Sequence, residues 1–145
     1  GSRQVTGAHG FTITADKLFE ETDPAEADVL FLPGGMPGTK NLMASKAVTE
    51  MVCNCARAGK YVAAICAAPS VLGRLGLLAG KRATCYPGFE DELAGAAFVR
   101  EPVVVDGKLI TPRGAGTANQ FAFALAEALC GKEEADTLKA AVQWE

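Results

Sequence analysis

Cys66 stands between small residues on both sides, in the run Tyr61-Val62-Ala63-Ala64-Ile65-Cys66-Ala67-Ala68-Pro69-Ser70. The first half is apolar, small and β-branched, which predicts a buried strand, and Pro69 with Val71 and Leu72 predicts the first turn of a helix. Cys66 therefore falls at a strand-to-helix junction. A nucleophile on so sharp a turn needs small residues two positions away on either side, because strand and helix approach closely there. Ala64 and Ala68 meet that need. The unpaired N–H groups at the start of the helix favour negative charge on the sulfur, so the chemistry on offer is nucleophilic addition or oxidation at a thiolate. A buried structural cysteine fits the same stretch, since free cysteine is among the most buried residue types.

The elements around this junction are predicted to bring a second feature beside it. Asp28-Val29-Leu30-Phe31-Leu32 reads as another buried strand, stopped by the turn-forming run Pro33-Gly34-Gly35-Met36-Pro37-Gly38. In open parallel sheets, ligands bind just beyond the carboxyl ends of strands, so this loop and Cys66 are expected at one edge. Glycines there let backbone N–H groups approach a developing negative charge, although a Gly-Gly loop is also a plain tight turn. No Gly-Lys-Ser/Thr follows, which argues against a phosphate-binding loop.

Further along, Ser45 is placed to cap a helix running to about Ala58, with Val48, Met51, Val52 and Cys55 on one face and Gly59 beyond its end. Cys53 and Cys55 are two apart on that helix and point to opposite sides, so they do not share a metal ion. Arg82 to Cys85 reads as a short strand ending at Tyr86-Pro87-Gly88, and Phe89 to Ala94 as a short acidic helix. Val103 to Thr111 reads as a hairpin turning at Asp106-Gly107 in a type I′ turn. Arg113 then falls in a loop at a strand end, where pairing with an acidic neighbour is expected over contact with a substrate carboxylate. Thr117 to Leu129 is apolar nearly all round, which predicts deep burial, and Glu133 to Val142 is amphipathic with Leu138, Ala141 and Val142 to bury. Near the start, Phe11 to Thr14 is a short strand, Gly1 to Gly10 is turn-rich, and the single histidine, His9, lies in that loop.

The 145 residues suit one domain, and 49% hydrophobic content gives material for a core. With 14 basic and 17 acidic residues there is no basic stripe, which argues against a nucleic-acid partner. No apolar run approaches the ~20 residues that span a bilayer, so no membrane partner is expected. Five cysteines, an odd number, lie within strand-like and helix-like segments, as expected of a reducing cytoplasm rather than a disulfide scaffold.

Leu32-Pro33-Gly34-Gly35, Ala63 to Pro69 and Thr111-Pro112-Arg113-Gly114-Ala115-Gly116-Thr117 together resemble the ThiJ/PfpI superfamily, in the branch of the Parkinsonism-associated deglycase and its bacterial relatives. The resemblance runs from about Val5 to Val142. It implies an α/β, flavodoxin-like three-layer sandwich with a mainly parallel sheet, similar to class I glutamine amidotransferases, and usually a homodimer. It further implies Cys66 as the reactive thiolate and, beside Gly34, the backbone amides of Gly35 and Ala67 as an oxyanion site. Neither a metal nor an organic cofactor is implied. In that branch a glutamate on the first helix hydrogen-bonds the cysteine, and Gly1 here follows the family's second strand. The expectation is therefore an N-terminally incomplete domain over 1–145, completed by its own missing strand–helix–strand of ~30 residues or more. Glu20 and Glu21 lie in the wrong element to replace that acid.

Tyr86 stands where many relatives have histidine before the proline. A phenol, titrating at about 10 in free solution, donates a hydrogen bond but does not serve as a base at neutral pH. Ala67 replaces the histidine that the protease-like branch carries after the cysteine, which disfavours a Cys–His protease, and the late His and Glu of the amidotransferases are absent. Two functions remain: a cofactor-free glyoxalase or deglycase acting on methylglyoxal-like α-oxoaldehydes or their adducts, and a redox-sensing or chaperone-like stress protein using an oxidisable cysteine.

Overall fold

The computed structural model describes residues 1–144. Its centre is a four-stranded sheet in the order β3-β4-β8-β7, formed by β3 (Val29–Leu32), β4 (Tyr61–Ala64), β8 (Leu109–Pro112) and β7 (Val103–Asp106). β3, β4 and β8 run parallel, and β7 pairs antiparallel with β8. Parallel neighbours require crossovers, and helices supply them. α1 (Gly38–Ala44) and α2 (Lys46–Arg57) connect β3 to β4. α3 (Pro69–Arg74) leaves β4, while α4 (Ala118–Cys130) and α5 (Lys132–Ala141) follow β8.

Alternation along β4 divides the core between the two sheet faces. Val62 and Ala64 pack with Val52, Val71, Leu72 and Leu78 on the side of α2 and α3. Ala63 turns the other way, to Ile110 and Phe121 of α4. The result is helix, sheet, helix: the three-layer α/β arrangement expected. Val62, Val71, Leu72 and Leu78 are each fully buried, and burial of such side chains contributes roughly 1.5–3 kcal/mol apiece. At the start of β4, Lys60 Nζ donates to the carbonyls of Pro24, Ala25 and Ala27, and the Tyr61 hydroxyl donates to Ala128 O at 3.1 Å. These contacts hold the strand against its neighbours on both faces.

Several local expectations are corrected. β3 is not a fully buried strand: it is the edge of its sheet, only Leu32 is buried and Phe31 is 44% exposed. α4 is apolar on most sides yet buries only Phe121 and Phe123, because one layer covers it and α5 lies along it. α5 buries Ala135, whereas Leu138 and Val142 remain exposed, so its apolar stripe is not consumed in the core. The hairpin pairs Asp106 with Leu109, so its two-residue loop is Gly107-Lys108. Only Gly107 of that loop has positive φ, at 63°, whereas a type I′ turn needs it at both central residues. Asp106 is drawn into the strand because its carboxylate accepts from the Arg82 N–H at 2.9 Å and from Lys81 Nζ at 3.2 Å.

Two peripheral sheets complete the fold. β1 (Gln4–Thr6) pairs antiparallel with β2 (Thr12–Thr14), which makes a hairpin of the turn-rich start. β5 (Arg82–Ala83) pairs in parallel with β6 (Ala97–Phe98), and the acidic segment between them is reduced to a single 3-10 turn at Glu90–Glu92. The helix expected from Ser45 runs as α2, its first turn capped by Ser45 Oγ accepting from the Val48 N–H at 3.4 Å.

Candidate functional site

The carboxyl ends of β3, β4 and β8 lie at one edge of the sheet, and the segments leaving them are Pro33-Gly34-Gly35, Ile65-Cys66-Ala67 and Arg113-Gly114. Parallel pairing therefore gathers residues that are far apart in the chain. Cys66 follows β4 and precedes α3, and its φ is +66°, a left-handed conformation that costs a non-glycine residue about 1–3 kcal/mol. Its neighbours hold it there. The Cys66 N–H donates to Pro112 O at 3.0 Å, and the Cys66 carbonyl accepts from the Tyr86 N–H at 2.8 Å. The elbow is thus clamped between the end of β8 and the loop after β5.

Gly34 shows why the glycine run stands where it does. A Cβ built on it would lie 2.6 Å from Ile65 O and 2.7 Å from Cys66 Cβ, so the close approach of loop and elbow requires glycine. Gly35 has φ +88°, again a glycine conformation, with open space around it. Among the described residues, neither the Gly35 nor the Ala67 N–H has a protein hydrogen-bond acceptor, whereas the Ala68 N–H donates to Ile65 O and the Ser70 N–H to Ala67 O. Unengaged N–H groups at such a turn can receive negative charge on a ligand oxygen.

On the other side of the clamp lies an open cavity of about 770 Å³, in the size range of small-molecule sites. Cys85, Tyr86, Glu90, Arg100, Arg113 and Gly114 are among its lining residues. Cys85 is 1% exposed, and burial pushes its thiol from 9.0 up to about 11, with the Glu90 charge adding to the effect. Its proximity to Cys66 was not read from the sequence, because nothing local to Cys85 signals that its loop folds back onto the elbow. Arg113 departs from expectation. No acidic partner lies within ion-pair distance of it among the described residues, so the expected pairing does not form. Arg100, half of the same feature, escaped the sequence reading altogether. His9 is exposed in the loop between β1 and β2, and no cluster of metal-ligating side chains occurs among the described residues.

Comparison with known proteins places these features in a lineage. A family model described as DJ-1/PfpI family matches residues 1–128. Protein DJ-1 homolog B of Arabidopsis thaliana is 43% identical over 133 residues, which cover 90% of this chain and 30% of that protein. This chain thus spans about a third of the plant relative's length. A deglycase of Pyrococcus abyssi is 42% identical over 114 residues, 77% of this chain and 68% of the archaeal one. A solved structure of oxidised DJ-1 from Toxoplasma gondii superposes with a TM-score of 0.91 at 36% identity, covering 99% of this chain and 78% of that one.

Proposed function

The chain belongs to the DJ-1/PfpI family, and on that premise we propose that it is a cysteine-dependent, cofactor-free enzyme acting on methylglyoxal-like α-oxoaldehydes or their early adducts. The observation that carries the reading is Cys66, a non-glycine residue kept at φ +66° with Gly34 pressed against it. The name deglycase belongs to the archaeal relative, and the proposal extends that activity to this chain at 42% identity. The acting protein is a cytoplasmic homodimer, and its partner is a small aldehyde rather than nucleic acid or membrane.

The chemistry follows from the groups at the elbow. Cys66 Sγ adds to the aldehyde carbon, a C–S bond forms, and the carbonyl π pair moves to oxygen, which accepts from the Gly35 and Ala67 N–H groups. Protonation of that oxygen gives a hemithioacetal. Transfer of the C1 proton to C2 through an enediol oxidises C1 to a thioester and reduces the neighbouring ketone to an alcohol. Water then cleaves the C–S bond, releasing lactate and the thiol. Oxidation and reduction occur within one substrate, so no external oxidant or reductant enters. The family resemblance assigns the C1 proton to a glutamate carboxylate, and the reaction is proposed for the whole protein. Cys66→Ser is expected to abolish conversion of methylglyoxal to lactate in a coupled lactate assay. Turnover unchanged by the substitution would remove the reading.

A second reading is favoured by one finding, that the Toxoplasma gondii structure is of the oxidised protein. Here peroxide takes the Cys66 thiolate through sulfenate to sulfinate, and the oxidised form alters partner binding or chaperone-like behaviour. Intact mass after peroxide treatment is expected to rise by two oxygens, and the rise should vanish in Cys66→Ser. An identical rise in that variant would place the oxidation elsewhere.

A further inference from the structure

Arg100 and Arg113 line the same cavity beside the elbow, and neither guanidinium has a carboxylate within ion-pair distance among the described residues. The two nearby acids make their own contacts, and neither forms an ion pair with these arginines. Glu101, next to Arg100, pairs with Arg82 at 2.5 Å. Glu90, which shares the cavity lining, accepts from the Gly88 N–H through Oε2 at 2.7 Å. The backbone fixes the arginines in relation to each other, because the Arg113 N–H donates to Pro102 O at 2.9 Å and so fastens the end of β8 to the segment bearing Arg100. A planar guanidinium fork matches the oxygens of a carboxylate or phosphate, and two forks against the single Glu90 carboxylate leave an excess of positive charge in the cavity lining.

We propose that Arg100 and Arg113 form an anion subsite adjoining Cys66, selecting substrates whose far end carries a carboxylate or phosphoryl group. The proposal rests on the enzyme reading above for its substrate class, and on the two arginines for the anion. The connection to Cys66 is short: the residue before Arg113 accepts the Cys66 N–H, and Tyr86, which lines the cavity, donates its own N–H to the Cys66 carbonyl. In the proposed complex the aldehyde lies at the Cys66 sulfur and the anionic tail against the guanidinium groups.

Two measurements decide the matter, and they fail independently. The first titrates the protein with inorganic phosphate and, separately, with succinate at constant ionic strength, following the amide resonances of Arg113, Gly114 and Ala115 by NMR. Saturable shifts are expected, weakened about tenfold or more in Arg113→Gln and in Arg100→Gln, with Arg113→Lys retaining part of the affinity. The tighter of the two ligands assigns the tail as phosphoryl or carboxylate. Shifts that sodium chloride reproduces, or that survive both glutamine variants, overturn the site. The second compares kcat/KM for 4,5-dioxopentanoate, an α-oxoaldehyde with a terminal carboxylate, against methylglyoxal. The ratio is expected to fall about tenfold in Arg113→Gln. An equal fall for both substrates overturns the selectivity. Absence of turnover with either substrate counts against the glyoxalase reading alone, and the phosphate titration still decides the subsite.

Discussion

Cys66 occupies a backbone conformation that no preference of cysteine explains, and hydrogen bonds to the end of β8 and from the loop after β5 hold it there. The junction itself was legible: small residues flank the cysteine, a strand pattern precedes it and proline follows. Gly34 was legible as a neighbour because a Pro-Gly-Gly run after a parallel strand has only one edge at which to lie. Arg100 and Cys85 were not, since their significance depends on loops that meet only in three dimensions, and an arginine looks the same in sequence whether or not an acid reaches it. Cys85 carries a prediction at this scale. Its thiol is raised from 9.0 to about 11 by burial, so between those values the native state holds a proton that the unfolded chain releases. The corresponding stability is present below about pH 9 and is lost as pH rises toward 11, amounting to about 2–3 kcal/mol. The urea midpoint should therefore fall across that window, and the fall should be shallower in Cys85→Ser. Identical pH profiles for the two proteins would discount the buried thiol.

Among the elements, α3 depends on a close approach that its sequence hardly announces. A Cβ on Gly73 would stand 2.1 Å from Glu92 O and 3.0 Å from the Ala94 N, both backbone atoms that cannot swing aside. Gly73→Ala is expected to cost about 3 kcal/mol, read as a drop in chemical-denaturation midpoint. A loss of a few tenths would show that the Glu90–Glu92 turn yields freely. The same dependence on tertiary packing explains which elements were misjudged. Periodicity reports how apolar a helix is, and α4 and α5 are apolar enough for a core, but the number of layers above them decides how much is covered. Likewise β3 reads as a buried strand because its residues are Val, Leu, Phe and Leu, while its place at the sheet margin follows from pairing order. The β7–β8 hairpin was legible, and its loop shifted by one residue because Asp106 had a better use for its carboxylate than turning a corner.

At the scale of the molecule, the parallel order of three strands was legible from alternating strand and helix signals. β3 offers an outer edge without a strand partner among the described residues, with Phe31 44% exposed beside it. An apolar groove of about 600 Å³, lined by Leu18, Phe19, Leu30, Phe31 and Met51 among others, runs along the same side and holds none of the elbow residues. Unpaired apolar edges recruit other strands. Phe31→Lys is expected to slow the growth of light scattering in concentrated solutions of these 145 residues, with some loss in thermal midpoint because the Phe31 ring lies 5.2 Å from that of Phe121. Equal scattering in the variant would move the association to another face. No helix among the described residues is long and apolar enough to cross a membrane.

The clamp on Cys66 has a mechanical meaning. The end of β8 grips the elbow by its nitrogen and the loop after β5 by its oxygen, and Arg113 and Tyr86, at these two places, also wall the cavity. A residue fastened at both its N–H and its carbonyl has little freedom to turn, so the strand end and the loop that hold it also set the direction in which the sulfur points.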